Sequence, residues 1–371
     1  MRDELKIRGC ILGGAVGDAF GYPVASLRYN QIQDKYGKNG LLGYDLCNGF
    51  AEISANTQMS LFTANGLLLG KTRGCMRGVM GPYAGYLAIA YLDWVKTQRL
   101  MRPDPDHKPY CWLYHVPELR HRRGANATCI QVLTDRRIGT IEQPTSHIRD
   151  CGAIARVAPI GAYLDPAQTA QEEIDRLGAE AAAITHGHVL GWLPAAALTH
   201  MISRIVYAGV GAGDWKELIA ETNAVMTELF CGYDFSSLWQ LLPRVLTLSQ
   251  STYSDRVAIE NLGDGRGAES VLAIAILCAM RYRDDFEAAM IAAINHNGDS
   301  AAVGCVCGSL LGAMLGAKAI PDYDLEPLEL YPIIDELARD LWSDCSMSRE
   351  SNFYDEDWVM KYLEGRYESQ I

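Results

Sequence analysis

Apolar residues recur every three or four positions along much of the chain, the spacing of one face of an α-helix. The run that contains Met59, Phe62 and Leu67 predicts a helix that begins near Ser54 and ends near Gly70. The Ser54 hydroxyl can accept a hydrogen bond from a free backbone N–H at the start of that helix. Further helices are predicted over residues 179–184, 193–207, 215–230, 271–282, 286–294, 328–342 and 358–367, and after Asp299.

We find no convincing run of the alternating apolar and polar residues that are typical of a half-buried β-strand. Residues 157–160 are apolar, but Pro159 argues against a central strand because proline cannot donate a hydrogen bond to a neighbouring strand. Pro194 is expected in the first turn of its predicted helix, where proline is tolerated. The pattern therefore predicts an all-α protein.

Residues 100–150 interrupt the helical pattern. The stretch 101–108 holds two prolines, and residues 121–124 form a basic cluster, His-Arg-Arg-Gly. This composition predicts a long, irregular, surface-exposed connection of the kind that often carries function. Because the helical patterns on both sides have the same character, we expect one all-helical domain over residues 1–371, with its last helices at about 321–371.

Two apolar stretches bear on membrane location. Residues 303–317 are apolar over about 15 positions, fewer than the roughly 20 that a spanning helix needs. They are rich in Gly and Ala, which favours a buried helix that packs closely on its neighbours. Residues 10–16 form a short apolar patch that Asp18 interrupts, and no cleavage signal follows, so no targeting segment is predicted.

The composition narrows the classes of function. Of the 371 residues, 49% are hydrophobic and 21% charged, which is typical of a globular protein with a core. The net charge of −12 argues against a general binder of nucleic acid or anionic membranes, and neither is expected as a partner. The eleven cysteines are scattered, with no CxxC pair, which indicates buried free thiols in the reducing cytoplasm.

Three short segments rich in Gly, Asp, Asn or Ser stand out: residues 13–23, 53–59 and 295–304. Residues 151–159 and 185–188 lie between them. Each of the three, taken alone, is equally well explained as a helix cap. No strand leads into residues 13–21 and no Gly-Lys-Ser/Thr follows, so a nucleotide P-loop is not predicted. His186 and His188 are two residues apart, which favours a capping or core role over metal binding.

Taken in order, these segments resemble the ADP-ribosylglycohydrolase family. The resemblance covers about residues 7–320 and rests on GDAFGYP, SANTQMSLFTANGLL, RVAP, THGHVLGWLPAAAL and NHNGDS. It implies a compact all-α fold around a central cleft. It also implies two divalent cations, magnesium or in some members manganese, that grip the ribose hydroxyls of an ADP-ribosyl group. The family cleaves the bond from that group to an arginine, serine or other acceptor.

The sequence departs from the family at the metal ligands. The resemblance places a family Glu at Ala25, family Asp residues at Ala55 and Ala301, and a Ser or Thr at Ala302. The vestigial metal ligands that remain are Ser54, Asn56 and Asp299. Magnesium needs near-octahedral oxygen coordination, so we expect no metal, or only weakly bound magnesium. Drift at neighbouring positions favours natural loss over deliberate inactivation; these are Ser26, Ala155 and residues 148–150.

A site without metal can still bind a ligand. Backbone N–H groups near Gly152 and the Arg156 segment could hold a diphosphate, although Asp150 would oppose an anion there. A buried salt bridge is the equal alternative for Arg156. The ligand-binding candidates are Asn56, Gly152, Ala153, Arg156, His186 and His188.

Three hypotheses of function follow. The first is a catalytically impaired glycohydrolase-like protein that binds ADP-ribose, an ADP-ribosylated protein or another protein partner. The second is an active hydrolase in which Asp299 is the catalytic general base, or an inactivated variant of one. The third is an interaction module, for example an immunity-type protein, with its contact in residues 101–149. For that segment an ordinary solvated loop is the alternative.

Overall fold

The computed structural model describes residues 2–98, 104–211, 213–350 and 352–367. Within these ranges the chain forms seventeen α-helices and no β-strand, which confirms the predicted all-α class. The helices are α1 Glu4–Gly21, α2 Tyr29–Tyr36, α3 Ala55–Arg77, α4 Tyr83–Thr97, α5 Ala127–Thr134, α6 Ala158–Tyr163, α7 Gln171–Ala183, α8 Val189–Tyr207, α9 Trp215–Leu229, α10 Ser236–Ser249, α11 Asp255–Glu260, α12 Ala268–Arg281, α13 Phe286–Ile294, α14 Ser300–Leu315, α15 Asp322–Leu325, α16 Tyr331–Ser343 and α17 Glu356–Tyr362.

The predicted helices are found, with shifts at their ends. Ser54 caps α3 as expected, because its side chain accepts a hydrogen bond from the Asn56 N–H, but α3 runs beyond Gly70 to Arg77. The predicted place of Pro194 was wrong: α8 begins at Val189, so the proline lies beyond the first turn. Eight helices were not among those predicted, namely α1, α2, α4, α5, α6, α10, α11 and α15. The predicted C-terminal helices correspond to α16 and α17, and residues 351 and 368–371 lie outside the described part.

A seam between α1 and α14 organises the molecule. The two helices run side by side, and a Cβ at Gly17 would overlap the carbonyl oxygen of Gly304. The same close approach recurs one turn at a time along both helices, at Gly9 with Gly312, Gly13 with Gly308, and Gly21 with Ser300. Residues 13–21, which the sequence suggested as a segment before or within a helix, belong to α1. The seam brings Asp18 of α1 close to the start of α14.

We expect Gly17→Ala to destabilise the protein by about 1–3 kcal/mol, because the backbones must move apart to admit a methyl group. Gly85→Ala is the matched control. Gly85 lies in the first turn of α4, and a Cβ there would meet nothing within 4 Å. This control should be neutral or stabilise by up to about 1 kcal/mol. Urea unfolding of both variants checks the prediction, and equal midpoints would contradict close packing at the seam.

The described part of the predicted surface connection, residues 104–149, is only partly irregular and exposed. Cys111, Trp112, Leu113 and Tyr114 are buried, and α5 follows. Asp93 of α4 accepts hydrogen bonds from the N–H groups of residues 110 and 111, at 2.8 Å and 3.0 Å. The predicted irregular, surface-exposed connection is therefore confirmed only in part, because residues 111–114 tie this segment into the core. Residues 100–103 lie outside the described part.

The main hydrophobic core extends from Ile7 to Tyr362, and Cys345, Met347 and Val359 form a smaller buried cluster. Among the described helices, α8 is long and apolar enough to cross a membrane. However, 89% of its most apolar 18-residue stretch is buried inside the protein, as in a core helix. All eleven cysteines are free, as predicted. Cys47 and Cys231 are exposed and Cys75 is half-buried, so the expectation of buried thiols holds for the other eight.

Candidate functional site

A cavity of about 340 Å³ opens between the first turns of α3 and α14. It brings together four parts of the chain that are distant in sequence, three of which carry the family-like motifs. These parts are residues 22–25, 54–59, 150–152 and 299–301. The other lining residues are Trp94, Gly124, Ala125, Asn126, Cys129 and Arg266. The cavity is therefore assembled from both ends of the chain, held together by the α1 and α14 seam.

Asp18 lies directly behind the cavity wall and holds the start of α3. One carboxylate oxygen accepts hydrogen bonds from the Ser54 hydroxyl at 2.6 Å and the Asn56 amide at 3.3 Å. The other accepts from the Ser54 N–H, the Thr57 N–H and the Thr57 hydroxyl at 2.7, 3.2 and 2.6 Å. Burial raises the pKa of Asp18, and these hydrogen bonds oppose the rise. Five donors saturate this carboxylate, so it has no oxygen left for a ligand.

Asp299 forms part of the cavity wall and caps α14. Its Oδ1 accepts a hydrogen bond from the Ala302 N–H at 3.0 Å, and its Oδ2 accepts one from the Cys151 thiol at 3.6 Å. Burial raises the pKa of this carboxyl. Asp299 is half-buried, so the carboxyl is accessible from the cavity while its position is fixed from both sides.

Asp150 is a second carboxylate on the cavity wall. Its Oδ1 accepts a hydrogen bond from the Gly152 N–H at 3.0 Å and lies 2.9 Å from His186 Nε2, and its Oδ2 accepts one from the Asn126 amide at 2.7 Å. Burial would raise the pKa of Asp150, but the hydrogen bonds from His186, Gly152 and Asn126 outweigh it and lower the pKa. Burial also lowers the pKa of His186. Asp150 is thus a fixed anion in the cavity.

The other predicted ligand-binding residues lie around this wall in different ways. Gly152 lines the cavity, but its N–H donates to Asp150. Ala153 is buried and does not line the cavity. His186 is buried behind Asp150. His188 caps α8 by accepting a hydrogen bond from the Leu190 N–H, which is the capping role that its spacing favoured.

Arg156 packs behind the cavity. Its guanidinium donates to the carbonyl oxygen of Ala181 at 2.6 Å and to the Thr185 hydroxyl at 2.9 Å, and it stacks over the Tyr91 ring at 4.4 Å. Arg156 is 1% exposed. The guanidinium therefore holds α7 against the segment before α6 by donating to carbonyl and hydroxyl oxygens. The sequence had suggested either a contact with a diphosphate ligand or a buried salt bridge.

The residues of the cavity do not fit a pair of divalent cations. Ala25, Ala55 and Ala301 line it without offering an oxygen ligand. The two lining carboxylates, Asp150 and Asp299, already accept hydrogen bonds on both oxygens. Within the described ranges, no group of three or more His, Cys, Asp or Glu side chains could hold a metal ion.

Arg266 is a lining residue that the sequence did not single out, and Trp94, Asn126 and Cys129 are others. Arg266 belongs to a turn of sequence Gly-Asp-Gly-Arg-Gly over residues 263–267, in which Gly263 and Gly265 have positive φ angles. That composition predicts a turn just before an apolar helix. This turn was the feature of the sequence that could have drawn attention to Arg266. Only the folded arrangement shows that this turn reaches the cavity.

His296 supports the turn that carries Asp299. Its Nδ1 accepts a hydrogen bond from the Gly298 N–H at 2.8 Å, and burial lowers the pKa of His296 to about 4. The unfolded chain binds a proton near pH 6.5, whereas the folded chain does not until about pH 4. The contribution of neutral His296 to the free energy of unfolding is therefore complete above pH 6.5, and it is lost as the pH falls towards 4.

We expect His296→Asn to reduce the acid sensitivity of folding, because Asn offers an acceptor for the Gly298 N–H and has no titrating group. Between pH 6.5 and 5.0 the unmodified protein should lose about 2 kcal/mol more stability than the variant. Urea unfolding of both proteins at the two pH values measures this difference. Equal losses would show that His296 is protonated in the folded state.

Comparison with known proteins gives three findings. A family model described as ADP-ribosylglycohydrolase matches residues 1–351. A protein of Archaeoglobus fulgidus, described as "Uncharacterized protein", is 26% identical over 357 residues, which are 91% of this chain and 96% of that protein. A solved structure described as "ADP-ribosylglycohydrolase-related protein complex" matches with a TM-score of 0.61 at 21% identity, over 92% of this chain and 98% of that one. At that identity the structural match shows a shared fold alone.

Proposed function

We propose that this chain, which belongs to the ADP-ribosylglycohydrolase family, binds the ADP-ribosyl group in its cavity without the family's pair of metal ions and is impaired in hydrolysis. The main support for this proposal is the set of residues that line the cavity. Ala25, Ala55 and Ala301 all face it, at the three positions where the family resemblance places metal-binding carboxylates.

The cavity offers polar groups that suit a sugar. Asp150 and Asp299 can accept hydrogen bonds from ribose hydroxyl groups, and the Asn56 side chain lies beside them on the wall. Trp94 and Met59 supply apolar surface. The volume of about 340 Å³ lies at the lower end of the range for small-molecule sites. The ribose lies inside, and the phosphate groups with the rest of the nucleotide lie across the mouth.

Loss of the metal ions removes the groups that the family is expected to use to grip the ribose hydroxyls. A bound magnesium or manganese ion would orient the substrate and lower the pKa of a bound water, so that this water could attack at neutral pH. The alanines at positions 25, 55 and 301 provide no substitute for that effect. Binding is therefore expected to persist while cleavage of the glycosidic bond becomes slow.

Slow, metal-independent hydrolysis is the second candidate, and Asp299 is the observation that favours it. This carboxyl is accessible from the cavity, and burial raises its pKa towards the range in which a general base is effective. In that case Asp299 accepts the proton of the attacking water. Asp299→Asn would abolish the residual activity, whereas ADP-ribose affinity should fall much less, because the Asn amide can still form a hydrogen bond to a ribose hydroxyl group.

Two assays test the proposal together. ADP-ribose is titrated into the protein by calorimetry in the presence of EDTA, and release of ADP-ribose is measured from arginine-, serine- and threonine-modified peptides. We expect binding without metal and little or no release. Rapid release that requires magnesium would contradict the impaired function, and absence of any ADP-ribose binding would contradict the proposed ligand. Release that Asp299→Asn abolishes would favour the second candidate.

A further inference from the structure

The turn over residues 263–267 carries an arginine into the cavity. Arg266 is exposed, lines the cavity together with Asp150 and Asp299, and donates from Nη2 to the carbonyl oxygen of Asn297 at 3.4 Å. At that length this hydrogen bond is weak. A guanidinium in this position is therefore free to bind an incoming group, and it sets a positive charge in a cavity whose other charged groups are carboxylates.

The backbone of Arg266 is held between the two segments that bear those carboxylates. The Cys151 N–H donates to the carbonyl oxygen of Arg266 at 3.0 Å, and the Asp299 N–H donates to the carbonyl oxygen of Gly265 at 2.8 Å. The Arg266 N–H donates to Asp264 Oδ1 at 3.0 Å. These hydrogen bonds fix the start of the arginine side chain relative to both carboxylates, so the arrangement is built into the fold.

Close packing under the turn limits its movement. Gly265 has a φ of +66°, and a Cβ there would lie 3.0 Å from His296 Cε1 and 3.1 Å from the Gly298 Cα. Only glycine fits this position, because it adopts positive φ without strain and leaves room for His296. This packing holds Arg266 at the cavity that it lines.

We propose that Arg266 binds the phosphate of the ligand at the mouth of the cavity, while the carboxylates inside bind its hydroxyl groups. The planar guanidinium forms two parallel hydrogen bonds to a phosphate group, which a lysine ammonium cannot match. The ligand class is thus a phosphorylated ribose whose hydroxyls point inwards and whose phosphate points outwards. This inference rests on the proposed function for the ribose part, whereas the phosphate contact depends on Arg266 alone.

The choice of ligand follows from the distribution of charge. Asp150 and Asp299 disfavour an anion deep in the cavity, and Gly152 uses its N–H on Asp150, so the inner wall does not suit a diphosphate. Arg266 is the cationic side chain among the residues that line the cavity in the described part of the chain. An anionic group therefore has one favourable place, next to Arg266.

The test compares two arginines on the same side of the molecule. Arg266→Gln and Arg266→Lys are compared with Arg149→Gln, which removes an equal charge from an exposed arginine that pairs with Glu269 at 3.1 Å and does not line the cavity. Each protein is titrated by calorimetry in EDTA with ADP-ribose and with inorganic pyrophosphate, at low and at moderate salt.

We expect Arg266→Gln to weaken ADP-ribose binding at least about tenfold and to reduce its salt dependence. Arg266→Lys should restore part of the affinity, and Arg149→Gln should change it by less than about threefold. If Arg266→Gln and Arg149→Gln lose the same amount of ADP-ribose affinity, the role of Arg266 is overturned. The proposal that the unmodified protein binds ADP-ribose would still hold. Pyrophosphate binding that needs Arg266, without ADP-ribose binding, would support Arg266 and overturn the proposed function. Binding of neither probe would overturn both.

Discussion

A variant that carries Ala25→Glu, Ala55→Asp and Ala301→Asp together should bind manganese and magnesium ions at least about tenfold more tightly than the unmodified protein. All three side chains would project from the wall of one cavity, next to Asp299. Ala55 and Ala301 lie in the first turns of α3 and α14, where the helix dipole stabilises negative charge. The helix dipoles therefore favour carboxylates at positions 55 and 301.

The matched control is the uncharged variant Ala25→Gln, Ala55→Asn and Ala301→Asn. It has nearly the same volume and fills the cavity to the same extent, but it lacks the carboxylates that bind hard cations. Calorimetric titration with manganese should give heat of binding for the carboxylate variant and none above background for the control. If neither variant binds manganese better than the unmodified protein, the cavity walls are not arranged as the family's metal site is. The assignment of the family's metal-binding carboxylates to positions 25, 55 and 301 would then be wrong.

Asp18→Asn should destabilise the protein by about 2–6 kcal/mol, since the new amide group faces donors that previously had an acceptor. Whichever carboxylate oxygen the new amide nitrogen replaces, at least two of the five donors lose their acceptor, and each buried, unsatisfied polar group costs about 1–3 kcal/mol. Because those donors belong to the start of α3, the cavity wall should shift as well. We expect ADP-ribose affinity to fall together with stability.

The control for Asp18→Asn is Asp175→Asn. Asp175 is also fully buried, and its Oδ2 lies 2.8 Å from His200 Nδ1, between α7 and α8 and away from the cavity. Urea unfolding should show a loss of stability in both variants, and calorimetry should show a loss of ADP-ribose affinity in Asp18→Asn alone. A cost below about 1 kcal/mol for Asp18→Asn would indicate that Asp18 is protonated in the folded protein, because Asn mimics the neutral acid.

The sequence predicted those features that depend on local pattern. The start of α3 at Ser54 follows from a capping residue before an apolar run, and α13 begins and ends where its pattern predicts. The assembly of the cavity from segments near both ends of the chain followed from the family resemblance. The alanines at positions 25, 55 and 301 all lie on its wall, so the most informative departures from the family could be located before the structure was known.

The features that were missed depend on contacts between distant residues. Residues 13–21 were equally well explained as a helix cap when considered alone, and the role of the α1 glycines becomes clear only when α14 supplies matching glycines. The roles of Gly152 and Arg156 were open because a backbone N–H or a guanidinium binds either a ligand or the protein, and no local pattern decides between them. Arg266 is held at the cavity by hydrogen bonds to Asn297 and Cys151, both of which are distant from it in the sequence.

The most direct test of the central claim is a calorimetric titration of the unmodified protein with magnesium and then with manganese, after treatment with EDTA. Our prediction is that neither ion binds saturably at micromolar concentrations and that the ADP-ribose affinity is the same with and without them. Binding of two ions per chain with micromolar affinity would contradict it, because the cavity would then hold the family's metal pair despite the alanines at positions 25, 55 and 301.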